Sequence, residues 1–200
     1  MTSRFTAVDR RAATVMASVL AKPPTLGAGR LVCVDGPAGS GKTTLAEALR
    51  RAARDLLPGR GTVQVVHMDN LYAGWSGLDV GMATVAASVV EPLRAGRPGR
   101  YRRFDWYAMA FAEERVVDPV DVLILEGVGS AAAAYDDAIT CLVWVEAPPA
   151  VRLERGLARD GEPLRDHWEA WQAQEDAMFA RERTRERADV TLDGVSGEPL

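Results

Sequence analysis

The sequence predicts an α/β fold: a three-layer sandwich in which a five-stranded parallel sheet lies between helices and carries a small helical lid. Three observations carry that prediction. Short apolar runs of strand length recur along the chain, separated by segments with helical periodicity. The runs are continuously apolar, as in strands covered on both faces. A glycine-rich stretch, Gly36 to Thr43, stands between the first of these runs and a helix.

The 200-residue chain reads as one domain. Residues 1–28 form a helix, Thr6 to Ala21, and a linker, "KPPTLGAG". Leu31 to Asp35 is the first strand. Thr43 to Leu57 is a helix with Leu45, Leu49, Ala52 and Leu56 on one face, closed by Pro58 and Gly59. Val63 to Asp69 is the second strand, and "LYAGWSGLDVG" a glycine-rich loop. Met82 to Ala95 is a helix striped by Met82, Ala86, Val89 and Leu93. "GRPGRYRRFDW" reads as basic and irregular. "DVLILEG" and "ITCLVWVEA" are the third and fourth strands. "PPAVRLERGLARDGEPL" is a short helix and turn bracketed by Pro148, Pro149 and Gly161, which suits a lid over residues 148–163. Leu164 to Arg187 is a long charged helix. Leu164, Trp168, Trp171 and Met178 form its core-facing stripe, interrupted by Glu175, which is placed to pair with a lid arginine. "ADVTLDG" is the fifth strand.

Composition narrows the partners. Hydrophobic residues make up 48%, charged residues 26%, and the formal net charge is -4. A global basic field for nucleic acid is absent. No apolar run reaches membrane-spanning length, and the N-terminus has no secretory pattern, so the expected location is the cytoplasm, with no membrane partner. A homo-oligomer is left open. Cys33 and Cys141 sit in apolar runs and read as buried thiols. With His67 and His167 the only histidines, no metal-ligand spacing occurs. His167 reads as a surface residue, and His67 should share a strand face with Asp69.

"GPAGSGKT" fits G-x-x-x-x-G-K-[ST]. Backbone N–H groups must point inward around a polyphosphate, and glycine permits both the angles and the close approach. The following helix adds its N-terminal partial charge. Gly36, Pro37, Ala38, Gly39, Ser40, Gly41, Lys42, Thr43 and Thr44 are therefore the expected nucleotide-binding set. Lys42 would neutralise the β- and γ-phosphates of ATP, and the Thr43 hydroxyl would bind Mg²⁺. The predicted class is a P-loop NTPase.

Three kinds of P-loop protein compete. A GTPase switch needs an N-K-x-D guanine reader, but the only lysine besides Lys42 is Lys22, followed by two prolines. A mechanical ATPase usually ends its third strand with adjacent acids, whereas "LILEG" has one, Glu126. A small-molecule kinase needs a carboxylate near the attacking hydroxyl and an arginine-bearing lid. Asp69 ends the second strand at the ligand-binding edge of such a sheet. Glu126 ends the third on the same edge and would hold Mg²⁺. Arg152, Arg155 and Arg159 share one face of the lid helix. Trp75 and Trp106, with Tyr72 and Phe104, fall in the acceptor region, where stacking on a planar base is one use for them. Arg97, Arg100, Arg102 and Arg103 form either a solvated patch or a clamp for a phosphate already on the acceptor.

These residues resemble those of the uridine kinase-like P-loop kinases. "HMDNLY" resembles that family's acid-plus-aromatic signature, and "RYRRFDW" the segment after its acceptor-site helix. "DVLILEG" resembles its magnesium strand, "VRLERGLARD" its arginine lid and "ERADVTLDG" its last strand. The resemblance spans about Leu31 to Gly194. It implies transfer of the ATP γ-phosphate to a small-molecule hydroxyl, most simply a nucleoside's. Asp69 would be the base, and Arg155 and Arg159 the lid arginines. Tyr72, Trp75, Asp105 and Trp106 would join Asp69 at the acceptor. The run "FDWYAMAF" departs from the family, with Met109 and Phe111 near where a histidine and an arginine would hold a pyrimidine nucleoside. A phosphorylated acceptor, pantothenate, and a non-kinase ATP-binding role are the alternatives.

Overall fold

A computed structural model of the chain describes residues 6–59 and 61–200. The first five residues of the predicted N-terminal segment lie outside that range. Five strands form one sheet: β1 (Arg30–Asp35), β2 (Val63–His67), β5 (Val122–Glu126), β6 (Ile139–Glu146) and β7 (Val190–Asp193). Their order is β2-β5-β1-β6-β7, and every neighbouring pair is parallel. β1 is central. The chain leaves it first towards β2 on one side and later reaches β6 on the other, so a crevice opens at the carboxyl ends of the strands.

Alternate residues of the strands serve two cores. Leu31, Cys33, Leu123, Leu125 and Leu142 face one apolar cluster; Val32, Val34, Ile124, Val143 and Val145 face the other. The second cluster is sealed by α1 (Ala7–Ala21) and α2 (Lys42–Leu56). Thr6 caps α1 through a reciprocal capping box with Asp9. The first cluster is sealed by α3 (Leu78–Val85), the residues after it, and α6 (Arg165–Glu182). Each fully buried Leu or Val here contributes about 1.5–3 kcal/mol, so coverage of both faces explains the unbroken apolar runs. Both cysteines are buried and unpaired, and burial pushes the Cys141 thiol up to about 11.

Several elements differ from expectation. β2 stops at His67, and Asp69 sits in a 3₁₀ turn, Met68–Asn70. The helix expected from Met82 begins at Leu78 and passes through a π turn, Ala86–Val90, before α4 (Glu91–Arg94). Pro92 has no N–H to continue the ladder there. The basic stretch is not irregular. It pairs as an antiparallel hairpin of β3 (Gly99–Asp105) and β4 (Ala110–Val117). α5 (Pro149–Asp160) occupies the expected lid position. The long helix breaks at Arg183, which adopts φ 52°, so α6 is followed by the short α7 (Thr184–Arg187). No helix among the described residues is long and apolar enough to cross a membrane.

Candidate active site

A cleft of about 1030 Å³ lies at the carboxyl ends of the strands. Its floor is the loop between β1 and α2. Gly39 and Gly41 take φ of 78° and 104°, which L side chains rarely adopt. A Cβ on Gly39 would stand 2.6 Å from the Arg152 carbonyl oxygen, so the lid helix packs directly on this loop. Lys42 is buried, and its Nζ donates to the Pro37 carbonyl at 2.8 Å. The ammonium therefore lies folded across the loop that is to receive phosphate.

Asp35 organises what stands beside it. Its Oδ1 accepts the N–H of Gly36 (2.7 Å) and of Gly129 (2.9 Å), and its Oδ2 that of Ala131 (2.9 Å). One carboxyl thus ties the phosphate loop to the loop after β5. Burial pushes it up to about 6, against the opposing pull of these N–H groups and Lys42. Nothing in the sequence pattern singled it out, because an acid ending a strand is usually a cap.

Glu126 ends β5, nearly buried. The Thr43 hydroxyl stands 3.3 Å from each of its oxygens, and His67 Nδ1 is 2.5 Å from Oε1. His67 and Glu126 are register partners in β2 and β5, which brings the two side chains together. The carboxylate raises the His67 pKa, with partial burial opposing. Sequence reasoning placed His67 near Asp69 but missed this pairing, which depends on a strand order that periodicity does not reveal. Among the described residues no cluster of three or more His, Cys, Asp or Glu could hold a metal ion. A hydroxyl and one carboxylate suit a hard cation that takes its remaining oxygens from phosphate and water.

Asp69 lines the same cleft and is exposed at its surface. The surrounding protein and the Glu126 charge nonetheless raise its pKa, opposed by Lys42, Arg159 and His67. The turn carrying it is pinned by the hairpin, because Trp106 Nε1 donates to the Asp69 carbonyl at 2.8 Å.

One end of the cleft is aromatic. Tyr72, Trp75, Trp106, Trp168 and Trp171 all line the cleft. Trp75 packs edge-on to Trp106, Trp168 and Trp171 at centroid distances of 5.4, 6.1 and 6.2 Å, and stacks on exposed His167. Tyr72 is fully buried and donates to the Val128 carbonyl. The α6 tryptophans therefore serve both the core and the cleft.

Two expected acceptor groups lie elsewhere. Asp105 does not line the cleft. It accepts the N–H of Tyr107 and Ala108, each at 3.0 Å, and pairs with Arg103, which together close the hairpin turn and lower its pKa. The arginine cluster is spent on the same hairpin: Arg100 pairs with Glu114, Arg103 with Glu113, and Arg102 donates to the carbonyls of Phe111 and Ala112.

The lid arginines also divide. Arg152 does not share an open face with the other two. It is buried, with Nη1 2.8 Å from Glu175 Oε1, while Glu175 Oε2 accepts the Ala38 N–H at 2.8 Å. Arg155 and Arg159 line the cleft. Arg155 donates to the carbonyls of Gly39 and Gly194; Arg159 pairs with Asp160 and lies over the Trp168 ring.

Comparison with known proteins agrees with this architecture. The "Possible Uridine Kinase" of Bacillus stearothermophilus superposes with a TM-score of 0.66 at 23% identity, covering 92% of this chain and 98% of that one. A candidate fructose transport system kinase of Silicibacter sp. TM1040 superposes with a TM-score of 0.58 at 21% identity, covering 90% and 98%. At these identities the likeness is one of fold, and it is the P-loop fold expected from the uridine kinase-like motifs. No curated protein matches significantly by sequence. The family model described as AAA domain matches residues 32–186, leaving α1 and the last residues outside it. By that match, over well more than half of its length, the chain belongs to the AAA domain family.

Proposed function

We propose that the protein is an ATP- and Mg²⁺-dependent cytoplasmic kinase that phosphorylates a hydroxyl of a small molecule, with a nucleoside as the favoured acceptor. The observation that carries this reading is the convergence of Lys42, Thr43, Glu126, Asp69 and two lid arginines on one cleft whose far side is aromatic. The loop suits a triphosphate: Gly36, Gly39 and Gly41 hold the positive φ angles of a phosphate-cradling turn, and its lysine is already buried against it.

Bound Mg²⁺ would supply charge neutralisation on the phosphates. Thr43 and Glu126 would hold it, with His67 orienting the carboxylate. Lys42 would exchange the Pro37 carbonyl for phosphate oxygen. Asp69 would accept the proton of the attacking hydroxyl, its raised pKa making it a better base than an ordinary carboxylate. Arg155 and Arg159, on a lid over residues 148–163, would close over the transferring group and exclude water. Positioning and charge neutralisation would supply most of the rate. Trp75 and Trp106 offer ring faces to a planar acceptor. A phosphorylated acceptor has less support, because three of the four arginines that would clamp it are engaged in the hairpin. An ATPase is disfavoured by the single acid at the end of β5, which Gly127 follows.

The test is ADP release with MgATP against nucleosides, nucleoside monophosphates, phosphosugars, pantothenate and polyols. Lys42→Ala should abolish turnover. Asp69→Asn should lower it roughly 10²-fold or more while ATP binding stays near wild type. Wild-type turnover in Asp69→Asn would remove Asp69 as the base. Substantial ADP release without any acceptor would favour an ATPase instead.

A further inference from the structure

Arg155 and Arg159 are four residues apart on α5, so their side chains leave the same face of the helix. Arg155 follows that face down to the phosphate loop, where Nη1 donates to the Gly39 carbonyl at 3.1 Å. Arg159 is diverted. Its guanidinium turns back onto the next residue, Asp160, with Nε 2.7 Å from Oδ1 and Nη2 3.0 Å from Oδ2. Adjacent residues on a helix point about 100° apart and do not face each other. The two-pronged pair therefore forms only because the long arginine side chain bends off its own face.

Trp168 fixes the place to which Arg159 is drawn. Gly161, at φ 98°, ends α5 and turns the chain through Glu162–Leu164 into α6. That turn sets Trp168 against the end of α5. Gly156 rests on its ring, and its Nε1 donates to Asp160 Oδ2 at 3.1 Å. The Arg159 guanidinium carbon lies 5.6 Å from the centre of the same ring. One buried indole thus serves Arg159 twice, through its face and, by way of the carboxylate, through its N–H.

The hold is a light one. The Asp160 and Arg159 side chains are 22% and 66% exposed, and an exposed ion pair and a cation over a ring are weak contacts. A guanidinium on phosphate is a stronger one. The held arginine nonetheless lines the cleft, and its charge reaches Asp69. Trp168 also packs edge-on to Trp75, so the hold lies where the aromatic end of the cleft meets the lid. An arginine on the transferring phosphoryl group speeds transfer to whichever oxygen stands in line, water included. Diverting Arg159 withholds that acceleration from water.

We propose that Asp160 and Trp168 are positioning residues that hold Arg159 off the phosphates in a cleft without acceptor, and so select the acceptor over water as the phosphoryl-receiving group. The inference rests on the kinase reading above. ADP release from MgATP with no acceptor present tests it, in wild type, Asp160→Asn, Trp168→Phe and Asp160→Asn combined with Arg159→Ala. Asp160→Asn keeps an oxygen for the indole N–H and loses the charge; Trp168→Phe keeps a ring and loses the N–H. Each single variant should raise the acceptor-free kcat roughly threefold to tenfold and leave the KM for MgATP within about twofold. Adding Arg159→Ala should return the rate to the wild-type level or below. A merely structural role for Asp160 would lower the rate, and would not produce a gain that depends on Arg159. A rate at or below wild type in Asp160→Asn overturns the hold, as does a gain that survives Arg159→Ala. A rate at or below wild type in Trp168→Phe that still binds MgATP removes the indole from it. Calorimetric titration with MgATP separates the two readings. If the wild type binds MgATP and Asp160→Asn shows no gain, this inference alone fails; if the wild type does not bind MgATP, the nucleotide reading fails with it.

Discussion

Glu175 lies on α6 with no exposed surface, yet both of its oxygens are used, one by the Ala38 N–H and one by Arg152. Burial raises its pKa, opposed by that N–H, Lys42 and Arg152. A buried pair broken on one side leaves an uncompensated charge. Arg152→Ala should therefore cost about 3–5 kcal/mol in urea unfolding, and Glu175→Gln, which keeps an acceptor for Ala38, should cost less. Asp35 shows the opposite sign of linkage to an ordinary surface acid. Burial holds its folded pKa at about 6, above the ordinary aspartate value of 3.8. Its contribution to stability is full below about pH 4 and lost as pH rises through 6, by up to about 3 kcal/mol. The stability gap between wild type and Asp35→Asn, measured by unfolding at several pH values, should narrow over that window. Asp69 is also raised. The acid limb of the pH–rate profile should lie above the ordinary aspartate range and vanish in the residual activity of Asp69→Asn.

Gly156 shows why α5 seats where it does. A Cβ there would meet the Trp168 ring at 2.6 Å, so the lid helix rests on α6 through bare backbone. Gly156→Ala should cost about 1–3 kcal/mol, read by thermal unfolding, and should loosen Arg155 from Gly39. The β3–β4 hairpin acts on Asp69 through one indole. Trp106→Phe removes that N–H while keeping a ring, so turnover should fall with ATP affinity near wild type. This hairpin was illegible in the sequence. Tyr101 and Phe104 face inward while arginines occupy the outer positions, and almost all of β4 is exposed. Its pairing comes from opposite charges on the two strands, Arg100 with Glu114 and Arg103 with Glu113, which periodicity does not see. The three inner strands, β1, β5 and β6, were legible because burial on both faces leaves them almost no polar positions, and the edge strands β2 and β7 because short apolar runs remain around Gln64 and Thr191. Lys42, Thr43 and Glu126 were legible because each is fixed by its place in a loop or at a strand end. Asp35 and the His67–Glu126 pair were not, since each depends on which strands become neighbours. The break at Arg183 was hidden too, because charged residues continue on either side of it.

Across the molecule, the two edges of the sheet divide the cleft: Asp69 and the hairpin at the β2 edge, α1 and the tail at the β7 edge, the phosphate loop between them. The lid helix reaches both halves, since Arg155 touches Gly39 and Gly194 while Arg159 extends its charge to Asp69. That arrangement also makes the protein its own optical probe. Of its five tryptophans, Trp75, Trp106, Trp168 and Trp171 line one cleft, and only Trp144 stands apart, against Phe179. Rings this close exchange excitation, so emission from the whole chain reports mainly on this cleft. An acceptor entering against Trp75, or a shift of Gly156 across Trp168, should change the intrinsic fluorescence without any attached label. Rapid mixing with MgATP, then with acceptor, would resolve lid closure and acceptor capture as separate phases. Trp75→Phe should erase the second phase and spare the first.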